Sequence, residues 1–139
     1  VMFVLLLIGT HFSEMTEFPG VDKEGRLPGN WATHALATSL DWAPLNPVAH
    51  FFVGGANAHA AHHLFPNVCH IHYRPITRII QEEAARHGLR YNRTSLLGMI
   101  GSHFCYLRRV GRAPMTGEAA PSAPERPAGW TPVAVPARS

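Results

Sequence analysis

His59, His62 and His63 stand within five residues of one another, after an apolar run and directly before Leu64-Phe65-Pro66. On a helix, residues three and four apart are neighbours, so His59 shares a face with both of the others. Three neutral imidazole nitrogens pointing one way suit a borderline metal such as iron or zinc. Two familiar metal chemistries find no support in the neighbouring residues. A hydrolytic zinc helix carries a glutamate directly after its first histidine as general base, and Ala60 occupies that position here. A carboxylate di-iron bundle needs glutamates and a Glu-x-x-His pattern on core helices, which Glu82 and Glu83 lack. Any metal bound at this motif is therefore held mainly by imidazole.

The surrounding elements are expected to be helices. Asn30 is suited to capping a helix from Trp31 to about Trp42. His34 shares a face with Asn30; packing on the next helix brings it beside the histidine motif, or leaves it an interfacial histidine. Asn46 is suited to capping that next helix, with Pro47 at its first position. It is expected to run from Val48 through Phe51 and Phe52 into the motif and to stop at Pro66, with a kink or close backbone approach at Gly54-Gly55. From Tyr73 to His87, Ile76, Ile79, Ile80 and Ala84 recur at helical spacing, and Gly88 is the natural stop. A second amphipathic stretch carries Leu96, Leu97, Ile100, Phe104 and Leu107 on one side and ends in Arg108-Arg109. These two helices either pack in a soluble domain or lie against a membrane interface. His70 and His72 follow the motif closely enough to hydrogen-bond to its ligands. His50, His87 and His103 show no comparable spacing and read as packing, capping or surface residues.

Composition sets the limits. The 139 residues amount to at most one ordinary domain, here residues 1–112 followed by a Pro-, Ala- and Ser-rich tail over 113–139 that is expected to be disordered. A net charge of +3 and a pI of about 9.3 are too mild to argue for nucleic acid. Much of the excess arginine lies between Arg74 and Arg112, which suits the cytoplasmic flank of a membrane or a solvated surface. Cys69 and Cys105 form no disulfide or zinc pattern and read as reduced thiols. The sequon Asn92-Arg93-Thr94 is short enough to arise by chance. Val1 to Ile8 is an unbroken apolar run. As a helix it covers roughly 12 Å against about 30 Å of hydrocarbon, so it is expected to be the exit end of a transmembrane helix that begins upstream. A short buried element of a soluble core is the rival for that run alone. After it, residues 10–17 mix polar and aromatic side chains and include His11.

Taken together, these residues resemble the C-terminal part of integral-membrane fatty acid desaturases, closest to the acyl-CoA and front-end (linoleoyl-CoA type) branch. The resemblance rests on Gly54-Gly55-Ala56-Asn57-Ala58-His59-Ala60-Ala61-His62-His63-Leu64-Phe65-Pro66, on His72-Tyr73-Arg74 and the helix to Gly88. Upstream it rests on Trp31, His34, Thr38, Ser39 and Asp41-Trp42. It covers roughly Val1 to Arg112. It implies an all-α fold: the end of a transmembrane helix, then metal-binding and interfacial amphipathic helices, with a disordered tail. It implies that His59, His62 and His63 are the third histidine box of a di-iron centre, that His34 is an additional ligand, and that Asn30 contacts iron through water.

The first two boxes of the family are not in this sequence. Two irons need about ten or more ligands between them, so the resemblance implies a C-terminal fragment of a longer enzyme. For the intact enzyme it implies two iron ions, dioxygen as co-substrate and an acyl-CoA or acyl-lipid substrate. Electrons would come from cytochrome b5 or a ferredoxin-type donor. The product is a cis double bond, made by removing one hydrogen from each of two adjacent methylenes. The protein is expected to be integral to the membrane, with the histidine box and tail on the cytoplasmic side. Two alternatives stay open: a membrane di-iron lipid hydroxylase, and an inactive truncated remnant that still binds metal.

Overall fold

The computed structural model describes residues 2–27 and 29–112, so the tail expected to be disordered lies outside the described residues. The first helix, α1 (Met2–Gly9), carries no charged or polar side chain in its sequence. None of the described helices is long and apolar enough to cross a membrane. The chain then turns sharply through residues 10–17, where the Thr10 hydroxyl donates to the Leu7 carbonyl at 2.5 Å. Helix α2 (Trp31–Thr38) starts as its cap residue requires, the Asn30 side chain accepting from the Thr33 amide at 2.9 Å.

It ends four residues before the expected Trp42, for a reason lying far away in sequence. A helix terminus leaves its last carbonyls without partners. Here the Thr38 and Ser39 hydroxyls bond back to the His34 and Ala35 carbonyls, at 2.9 and 2.6 Å. The buried Asn92 amide donates to the carbonyls of Leu36, Ala37 and Ser39, at 3.2, 3.2 and 3.1 Å. With those groups satisfied, Asp41–Trp42 extends as β1 and pairs in parallel with β2 (Arg93–Thr94), Asp41 opposite Arg93 and Trp42 opposite Thr94. The fold is thus mostly helical with one small parallel strand pair, where a wholly helical chain was expected. Asn92 is 2 % exposed and its amide is fully used, so the sequon is a structural asparagine.

Helix α3 (Pro47–Phe52) begins with Pro47 at its first position and Asn46 capping the amides of Val48 and Ala49. It does not run into the histidine motif. The chain leaves the helix after Phe52 and passes through Gly54 and Gly55, with φ of 57° and 80°. Gly55 packs so closely on the following turn that a β-carbon there would lie 2.8 Å from Cβ of His70. The expected kink is a complete break, and the histidines open a separate helix, α4 (His59–Leu64). A short 3-10 turn (His70–His72) leads into α5 (Tyr73–Arg86), and Gly88, with φ of 62°, ends it. Tyr73, Thr77, Ile80, Gln81 and Ala84 of α5 are buried, while Ile79 faces out.

The last helix, α6 (Leu96–Val110), is capped by Ser95, whose hydroxyl accepts from the Gly98 amide. It buries Met99 and His103 and leaves Leu97, Phe104 and Leu107 exposed, so much of its apolar face points outward. One core cluster joins Leu36, Ala60, Ala61, Tyr73, Ile80 and Tyr91 beneath α2, α4 and α5. A second joins Leu40, Trp42 and Met99 where α1, β1 and α6 meet.

Removing the Asn92 amide takes the donor from the buried carbonyls of Leu36 and Ser39, while the Ala37 carbonyl keeps the Glu17 amide at 2.9 Å. Asn92→Ala is expected to destabilise the fold by about 1–3 kcal/mol, the usual cost of unsatisfied buried groups. Thermal unfolding of that variant beside Arg93→Ala, an exposed neighbour, checks this: the first should melt clearly lower and the second should not.

Candidate metal centre

Helix α4 has no side-chain cap of its own, since Ala58 precedes it. Its first turn is held instead by Asp41 from β1, whose Oδ1 accepts the Ala60 amide hydrogen at 2.8 Å. That contact fixes His59 against the core, 3 % exposed, and one helical turn later His63 returns to the same face. The two Nε2 atoms lie 3.1 Å apart. On the other side of His59, at 2.7 Å, lies Nε2 of His11, from the turn after α1. Nitrogens of His11, His59 and His63 that could hold an ion all fall within 4.8 Å of one another. The His11 ring stands edge-on to both of the others, with centroids 4.4 and 5.1 Å away.

This donor set fits a metal. Ligands about 2.1 Å from one ion and at right angles to each other sit about 3 Å apart, close to the separations found along the chain His11–His59–His63. Electrostatics keep the lone pairs available. Burial, reinforced by the neighbouring histidines His11, His63 and His62, pushes His59 down to about 3. Burial likewise lowers His11 and His63. The group is therefore neutral near pH 7, and imidazole binds metals in its neutral form. The carbonyl of Ala56 opposes the shift at His59, yet His59 Nδ1 has no formed hydrogen bond in its buried position.

The other expected site residues are placed differently. His62 is exposed at the edge of the group, its ring centroid 5.9 Å from His59 and 5.7 Å from His63. Its Nδ1 lies 3.2 Å from the Tyr73 hydroxyl. His34 is on α2, which packs against α4; its Nδ1 is buried and has no hydrogen-bond partner. Asn30 is exposed, and its side-chain oxygen accepts from both the amide and the hydroxyl of Thr33. His70 and His72 are exposed on the 3-10 turn, and neither ring hydrogen-bonds to the motif histidines. The His70 carbonyl accepts from Nε2 of the buried His50 at 2.9 Å.

Nothing in the sequence pattern links His11 to the motif. It stands 48 residues before His59 on a different element, and no spacing rule connects them. The available signal was its position, as a histidine directly following an apolar run.

The fatty acid desaturase family model matches residues 1–95, a stretch that ends before α6. Over 107 residues the chain is 34 % identical to the sn-1 linoleoyl-lipid 6-desaturase of Arthrospira platensis, covering 76 % of this chain and 29 % of that protein. Against the protein of the same name from Synechocystis sp. it is 36 % identical over 105 residues, 74 % of this chain and 29 % of the relative. With the acyl-lipid (8-3)-desaturase of Physcomitrium patens it shares 31 % identity over 111 residues, 79 % and 23 % of the two chains. The chain thus spans less than a third of the length of these relatives. No solved structure matches it.

If His11, His59 and His63 share one metal, replacing any of them with alanine should weaken metal binding strongly. The loss should exceed the roughly 10–100-fold caused by losing a residue that only supports a ligand. Titration with Co2+, followed by its visible absorption, tests this, with the exposed His87→Ala expected to bind as the parent does.

Proposed function

This chain belongs to the fatty acid desaturase family, and from that premise we propose that it supplies part of an iron centre that introduces a cis double bond into an acyl chain. The observation that carries the proposal is the convergence of three neutral imidazoles, with no carboxylate among them, on a buried point beside α4. A hydrolytic site would need a general base; desaturation does not, because hydrogen leaves an unactivated methylene by oxidation. Iron, when bound, supplies that oxidising power from dioxygen and two electrons.

The residues of the chain hold and shield. His11, His59 and His63 would hold one iron, and His62, at the edge of the group with its Nδ1 3.2 Å from the Tyr73 hydroxyl, would reach a second. His34 and Asn30 belong to the same proposed set, with His34 a further ligand and Asn30 acting through water, while His70 and His72 would support the site from the 3-10 turn. Two irons need about ten ligands, so in this reading the remaining histidines belong to the part of the relatives' length that this chain does not span. The chain would then be the C-terminal portion of the enzyme, carrying its last histidine box.

Relatives whose names specify lipid-linked substrates favour an acyl lipid over acyl-CoA, and cytochrome b5 or a ferredoxin-type protein would deliver the electrons. Membrane association belongs to the same proposal. Phe51 and Phe52 on α3 are 82 % and 79 % exposed and Leu97 on α6 is 79 % exposed, as lipid-facing side chains would be. The site and the tail would lie on the cytoplasmic side.

Fatty acid analysis of membranes containing the full-length protein tests the reaction. We expect an oxygen-dependent product with one additional double bond, abolished by His59→Ala. A product that gains a hydroxyl at unchanged unsaturation would contradict desaturation and point to a hydroxylase.

A further inference from the structure

His11 occupies a turn, so no helix of its own orients the ring that completes the triad. The restraints on that turn come from α6. His103, 4 % exposed, donates from Nδ1 to the carbonyl of Phe12, the residue after His11, at 2.6 Å. The Ser102 hydroxyl accepts the Glu14 amide hydrogen at 3.0 Å, and Arg109 Nε donates to the Glu14 carboxylate at 2.8 Å. Before the turn, Gly9 packs on the fully buried Met99, where a β-carbon would collide with the sulfur. Tyr106 packs beside Phe12 and Phe18, at centroid distances of 6.0 and 5.8 Å.

His103 is the polar member of the buried face of α6, while Leu97 and Phe104 of the same helix are exposed. Burying an imidazole is costly unless it is hydrogen-bonded, and His103 meets that need with the Phe12 carbonyl. Here that bond fixes the backbone one residue from a ring 2.7 Å from His59.

We propose that α6 is a clamp that completes the metal centre, with His103 the positioning residue that holds His11 against His59 and His63. The inference rests on reading the triad as the iron site, but its mechanical part is independent of any metal. His103→Leu removes the donor; His103→Gln keeps an N–H within reach of the same carbonyl; Leu97→Ala changes only the outward face. Two measurements on the full-length protein in detergent separate the possibilities. The first is the affinity and visible spectrum of bound Co2+. The second is the rate at which diethylpyrocarbonate modifies His11, read by peptide mass spectrometry without metal.

His103→Leu is expected to weaken Co2+ binding about tenfold, the scale on which ligand supports act, and to shift the spectrum toward that of His11→Ala. It should also speed modification of His11 severalfold. His103→Gln should restore both, and Leu97→Ala should change neither. Unaltered Co2+ affinity and unaltered His11 reactivity in a folded His103→Leu would overturn the clamp. If that variant does not fold, Arg109→Ala takes its place, with the same two readouts and the same directions. A parent protein that binds no Co2+ would defeat the iron reading, and the His11 modification rates would then decide the clamp alone.

Discussion

Asp41 is fully buried, and its carboxylate accepts hydrogen bonds from the Ala60 amide at the start of α4 and from the Tyr91 hydroxyl just before β2. Its own backbone amide donates to the Asn92 carbonyl at 3.0 Å, so one residue joins three segments. Burial is expensive for a carboxylate and raises Asp41 from 3.8 to about 6, while the Tyr91 and Ala60 hydrogen bonds pull it back. Near neutral pH the group is ionised, and a negative charge is favourable at a helix N-terminus. This matters because α4 has only six residues. A helix that short does not persist by its own hydrogen bonds, and the positions of His59 and His63 depend on what grips it from outside. Asp41 grips its first turn, and α2 and α5 pack along its length.

The same logic extends outward from the triad. His59 is fixed by the core, His63 by being one turn further along α4, and His11 by contacts from α6. Each ring reaches the group from an element held by distant residues. Arg90 adds to this by pairing with Glu17 and donating to the Met15 carbonyl at 2.9 Å, which ties the far end of the His11 turn to the segment before β2. The histidine triad is thus the meeting point of both ends of the described chain.

What could be read from the sequence was whatever is decided locally. Asn30, Asn46 with Pro47, and Gly88 each set a helix end through their own chemistry, and each does so in the structure. The ends set by remote partners were not legible. Helix α2 stops at Thr38 partly because Asn92 takes its carbonyls, and α3 separates from α4 where Gly55 must pass close to His70. The apolar periodicity of α6 was visible, but not which way it faces: Met99 and His103 are buried while Leu97 and Phe104 are exposed. The histidine motif was plain from its spacing, whereas His11 joins it only through the fold.

Whether residue 11 shares a metal with His59 is decided by a ligand substitution. His11→Cys places a thiolate where the imidazole was, and Co2+ bound by a thiolate shows an intense sulfur-to-metal charge-transfer band. We expect that band when Co2+ is added to the His11→Cys protein, and we expect it to be lost when His59 is also replaced by alanine. Co2+ bound without the band, or with a band indifferent to His59, would show that residue 11 lies outside the site.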